Sequence, residues 1–116
     1  MMELIQLLTK RTEQGRITWK TTDKEDAYIF SASNSSVVVS GKYDEEDDFH
    51  VNIRLLNQQG TEADAIYSTW HGRDATGEYI AGPHNQALEA IYEAARRSAL
   101  RIDDIIDDML SALNGD

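Results

Sequence analysis

The chain has no cysteine, a single proline, 11 basic residues against 21 acidic ones, and no long run of apolar residues. Without thiols there is no disulfide, no thiolate nucleophile and no Cys-ligated zinc or iron–sulfur centre. Any chemistry must therefore come from carboxylates, imidazoles or hydroxyls. The apolar runs are a few residues long, far short of the ~20 that cross a bilayer, and no basic segment leads into an apolar stretch at the N-terminus. The expectation is a soluble, unexported, cytoplasmic protein that does not engage a membrane. The shortage of Lys and Arg leaves a net charge of −10. Phosphates would be repelled by most of such a surface, which argues against direct nucleic-acid binding. A Gly-rich phosphate loop is also missing, because Gly72, Gly77 and Gly82 recur without the Lys-Ser/Thr ending. No serine stands in a G-x-S-x-G turn, and no cofactor is expected.

What is present suits one compact domain. A chain of 116 residues, 41% of them hydrophobic, can bury its own core but is too short for two. Leu4, Ile5, Leu7 and Leu8 recur at helical spacing and Gly15 follows as a left-handed stop, so a three-turn helix is expected from Met2 to about Gln14. Ile17 and Trp19 then alternate with Thr18 and Lys20, as in a half-buried strand. Short polar linkers separate this strand from 27–31 and that one from 37–39. In 49–55, Phe49, Val51, Ile53 and Leu55 share one face while His50, Asn52 and Arg54 share the other, implying one side in the core. A turn at 57–60 leads into a strand read as 62–70. The fold expected is α+β: an N-terminal helix, an antiparallel meander of about five strands, then one long or two consecutive C-terminal helices packed on one sheet face.

Residues 71–83 carry Gly72, Gly77, Gly82 and Pro83 and no periodicity, so they are expected to form a long connecting loop. From Asn85 onward, Leu88, Ile91, Ala95, Ala99, Ile102, Ile106, Leu110 and Leu113 keep one helical stripe. A single helix of that length would run about 42 Å, longer than a domain of this size is wide. Arg96, Arg97 and Arg101 precede Asp103 and Asp104, which suits the end of one helix and the start of another. A break is expected between Leu100 and Ile102.

The acids are concentrated. Asp44, Glu45, Glu46, Asp47 and Asp48 are contiguous, and Asp103, Asp104, Asp107 and Asp108 follow within six positions. The first group lacks the central Gly and terminal Glu of a calcium loop and reads as a hairpin turn whose charge discourages edge-to-edge pairing. The second matches a D-D-x-x-D magnesium pattern similar to that of isoprenoid synthases, but those are large helical cups and this chain has a β-rich middle. A solvated helix face is the simpler reading, although like charges at i and i+4 cost about 0.2–0.5 kcal/mol per pair and a basic partner would offset them.

His50, His71 and His84 stand in no metal-ligand spacing. His71 and His84 bracket the long loop together with Asp74 and Glu78, and folding the loop back would make those four a small metal or acid–base site. His84 or Asn85 capping the next helix is the competing reading. Trp19 and Trp70, each near a strand end, are expected in the core or at the sheet edge, and Trp70 is also a candidate contact because Trp is enriched in interface hot spots.

The opening Leu4-Ile5-x-Leu7-Leu8 with Thr12-Glu13-Gln14-Gly15-Arg16-Ile17-Thr18-Trp19, and the closing Ala95-Arg96-Arg97-Ser98-Ala99-Leu100, resemble small uncharacterised bacterial and phage domains. These begin with a Leu-rich helix, a T-x-x-G turn and an I-x-W strand. The resemblance implies architecture and carries no catalytic residue. The reading that follows is a non-enzymatic, acidic, protein-binding domain of regulatory, inhibitor, immunity or chaperone-like type. It would form a homodimer through its C-terminal helices and use Asp103, Asp104, Asp107, Asp108 and Trp70 toward a partner with a basic surface. The alternative is a small-ligand or metal-dependent enzyme centred on His71, Asp74, Glu78 and His84.

Overall fold

A computed structural model describes residues 1–73, 75–76 and 79–115, with residues 70–73 and 79–81 described through their backbone. Helix α1 (Met2–Glu13) turns Ile5, Leu8 and Thr12 inward and closes at Gln14. Gly15 follows at φ 72°, a left-handed conformation that a side chain would strain. Five antiparallel strands then form a meander in chain order: β1 (Lys20–Thr21), β2 (Ala27–Ser31), β3 (Ser36–Tyr43), β4 (Phe49–Leu56) and β5 (Glu62–Tyr67). Register places Tyr28 beside Val39, Val39 beside Ile53 and Ile53 beside Ile66, so one sheet face is apolar across four strands. The α+β class and the five-stranded meander agree with the reading of the sequence.

Helix α2 (Asn85–Ala99) lies against α1 and against strands β1 to β4, and their shared core centres on Ile5, Trp19, Val39, Ile53, Leu88 and Ile91. The segment Ile17–Lys20 contributes less strand than its alternation implied: regular pairing begins only at Lys20. Trp19 is instead held from two helices. Its indole N–H donates to Thr12 Oγ1 (2.9 Å) and its backbone N–H donates to Ser98 Oγ (2.9 Å).

Two differences concern residues 62–83. The strand expected over 62–70 stops at Tyr67: Ser68 still donates its backbone N–H to the Val51 carbonyl (2.9 Å), but its side chain takes the reciprocal bond and Thr69 turns to Asn85. Ser68 Oγ accepts the Val51 N–H (2.9 Å), while the Asn85 side chain takes both the N–H and the C=O of Thr69 at 2.8 Å each. The stretch read as an irregular loop contains β6 (Trp70–Arg73) and β7 (Tyr79–Ala81), paired antiparallel. Their register shifts between His71 and Arg73, and such a bulge erases the period-two pattern that would have marked a strand.

The break expected in the C-terminal stripe is present. Helix α2 ends at Ala99, Arg101 adopts φ 54° and ψ 44°, and α3 runs from Ile102 to Asn114. The radius of gyration is 16.4 Å, against about 13 Å for a compact chain of this length.

Candidate functional site

Helix α3 is amphipathic along its whole length. Ile102, Ile105, Ile106, Met109, Leu110 and Leu113 recur at i, i+3, i+4, i+7, i+8 and i+11 and form one apolar arc. No residue of the helix is buried. Relative exposures from Ile105 to Leu113 on this arc run from 46% at Ile106 to 80% at Leu113. Half-exposed or more from Ile105 onward, the arc is only partly covered by the described residues of its own chain, and α3 meets the rest of the molecule chiefly at α2.

The four acids of α3 divide into two pairs. Asp103 accepts from Arg97, and Asp104 Oδ2 accepts from Arg101 Nε at 2.9 Å, so the first turn is tied back to the end of α2 and to the joint. This arrangement also suits the positive end of the helix dipole. Asp107 and Asp108, one turn further on, are exposed and have no ion pair among the described residues. They flank the apolar arc.

The remaining candidates are dispersed or beyond view. Trp70 and His71 lie in β6, where the backbone of His71 pairs with Ile80. Asp74 and Glu78 lie outside the described residues. His84 is exposed and occupies the N-cap position of α2 without a side-chain capping bond. Asn85, the other capping candidate, is buried and spends its amide on Thr69. Among the described residues, no group of three or more His, Asp or Glu is placed to hold a metal.

One pair escaped the sequence reading. His50 Nε2 and Asp44 Oδ2 are 2.6 Å apart at the end of the β3–β4 hairpin. Asp44 Oδ1 also accepts the backbone N–H groups of Glu46 (2.8 Å) and Asp48 (3.0 Å). The hydrogen bond with His50 is the largest effect on the Asp44 carboxyl and outweighs desolvation, the next, so that with the two backbone N–H groups it holds the group below its ordinary range. The available signal was spacing: Lys42 pairs with His50, so residues 42, 44 and 50 project from one face beside the turn. They border an open cleft on the sheet face away from α2, of about 710 Å³, to which Asn52 and Tyr67 also contribute. The hydroxyl of Ser40 in this cleft donates to Asn52 Oδ1 at 2.8 Å. What the pair demonstrably does is fasten the acidic turn.

On the opposite face, Tyr92 packs against Tyr28 and Phe49. Burial, followed by the charge of Asp26 and the proximity of Tyr28, pushes the Tyr92 hydroxyl far above its usual pKa. It is a neutral, structural phenol throughout the physiological range. Comparison with protein-family models, with curated proteins and with solved structures finds no match for the chain.

Proposed function

We propose that this chain is a non-enzymatic protein-binding domain that assembles as a homodimer through its C-terminal helices and uses its acidic surface to attract a basic partner. The observation that carries the reading is α3 itself. A helix of 13 residues is marginal in water without tertiary contacts, and this one bears like-charge pairs at Asp103/Asp107 and Asp104/Asp108 that weaken it further. Helices of this kind are held by burying their apolar face, and here the described residues leave about half of that face or more in solvent from Ile105 onward. A second protein surface supplies the missing contact. The acidic turn at 44–48 and the exposed acids of α3 then raise the encounter rate with a positively charged partner in a salt-dependent way.

The test is a double substitution, Ile106→Asp with Leu110→Asp. Because neither side chain is buried in its own chain, the reading predicts loss of self-association by light scattering, with the fold of residues 1–100 intact by near-UV circular dichroism. Loss of the whole tertiary signal would instead make α3 an internal part of the fold and defeat the reading.

A further inference from the structure

Resting on the reading of α3 as a contact surface, we infer that its occupant is α1 of a second copy of this chain, lying antiparallel to α3, with the exchange made reciprocally about a two-fold axis. The surface of α1 carries its own partly exposed strip. Ile5, Leu8 and Thr12 face the core, whereas Leu4, Leu7 and Arg11, at i, i+3 and i+7, lie together on another side. Leu4 and Leu7 are 38% and 50% exposed. Lys10 flanks the strip, and neither Lys10 nor Arg11 has an ion pair among the described residues.

The order of chemistry along the two helices matches in only one direction. Beyond the first turn, where Asp103 and Asp104 are tied back to arginines, α3 presents Asp107 and Asp108, then Leu110, then Leu113. From its C-terminal end α1 presents Arg11 and Lys10, then Leu7, then Leu4. Antiparallel apposition therefore sets Arg11 beside the acids that α3 leaves unpaired, and Leu7 and Leu4 beside Leu110 and Leu113. A pairing of two α3 helices would join their apolar arcs but flank them with acids alone, since residues 102–116 contain no Lys or Arg.

The placement of the helices allows the exchange to close. The start of α3 and the end of α1 border the same cleft, which includes Thr12, Glu13, Gly15, Arg101, Asp103 and Asp104. An axis passing beside this cleft lets each α3 leave its own chain and run outward along the partner's α1. Area argues for reciprocity as well. A helix of 13 residues is about 20 Å long and about 10 Å across, so one helix pair falls short of the roughly 800 Å² per partner of a standard interface. Exchange gives every chain two such contacts, one as donor and one as acceptor, and so doubles the contact to about 400 Å² per partner, the size of a weak, reversible interface.

The absence of cysteine makes the test direct. Full-length Leu7→Cys and full-length Leu110→Cys are prepared separately, mixed and oxidised. The inference predicts a disulfide-linked heterodimer of one chain of each kind, with little linkage in either variant alone. Arg11→Glu should weaken dimerisation by about ten-fold or more at low salt, and adding Asp107→Lys and Asp108→Lys to the same chain should restore it. Efficient self-linkage of Leu110→Cys would overturn the pairing while leaving α3 as the dimer contact. A chain that remains at its 13.1 kDa monomer mass without cross-linking would overturn both the pairing and the homodimer.

Discussion

Single residues decide how the ends of this fold are fastened, and Thr12 is the clearest case. Its hydroxyl donates to the Leu8 carbonyl at 2.6 Å and accepts the indole N–H of Trp19, which is only 1% exposed. Thr12→Val keeps the shape and deletes the acceptor, leaving a buried N–H unsatisfied. The expected loss is about 1–3 kcal/mol in urea unfolding, largely recovered in Thr12→Ser. The T-x-x-G and I-x-W elements noted in the sequence thus acquire a cause: the glycine turns the chain so that Trp19 comes back under Thr12. Asp44 offers a test in pH. Its folded pKa lies below the 3.8 of an unperturbed carboxyl, so its stabilising contribution is complete above that value and is lost as pH falls through the folded pKa. Asp44→Asn should reduce the acid-induced part of the loss in melting temperature between pH 5 and 2, and unchanged acid sensitivity would remove Asp44 from the account.

At the level of elements, periodicity was informative wherever one face of a segment met the core and the other met water. Phe49–Leu56 and the C-terminal stripe were legible for that reason. The α2–α3 joint was legible from the reversal of charge between Arg97 and Asp103, although neither Gly nor Pro stands there. Residues 68–83 were not legible, because the side chain of Asn85, distant in sequence, satisfies Thr69 and ends β5, and because a bulge scrambles the alternation in β6. No local pattern encodes either event. The Asp44–His50 pair was missed because the acids of the turn were read together as a charge, when one of them has a separate geometric task. Two substitutions test the elements as described. A Cβ built on Gly41 would stand 2.5 Å from the Phe49 ring and 2.8 Å from that of Tyr92, so Gly41→Ala should cost about 1–3 kcal/mol of stability by thermal or urea unfolding. At the joint, Arg101 is left-handed, a conformation costing an L-residue about 1–2 kcal/mol. Arg101→Gly should relieve that strain, offset in part by loss of the Asp104 contact, and Arg101→Val should be the less stable of the two by calorimetry.

For the whole molecule, a net charge of −10 resolves into parts with different work. Asp44 closes a hairpin, Asp103 and Asp104 anchor the start of α3 to the arginines before it, and Asp107 and Asp108, beside an apolar arc, have no ion pair among the described residues. The single chain is therefore finished around its sheet and unfinished at its C-terminal helix. Burying an exposed Ile, Leu or Met side chain contributes roughly 1.5–3 kcal/mol when complete. The half-exposed residues of two α3 arcs are thus of the right order to meet an association cost of about 4–15 kcal/mol, with little to spare. The proposed dimerisation should accordingly be reversible and dependent on concentration. The most direct measurement is amide hydrogen exchange of residues 102–114 in the intact chain across a hundred-fold range of protein concentration. The account predicts that protection of α3 rises with concentration while protection of β3 and β4 stays constant. Protection of α3 that is strong and independent of concentration would contradict it.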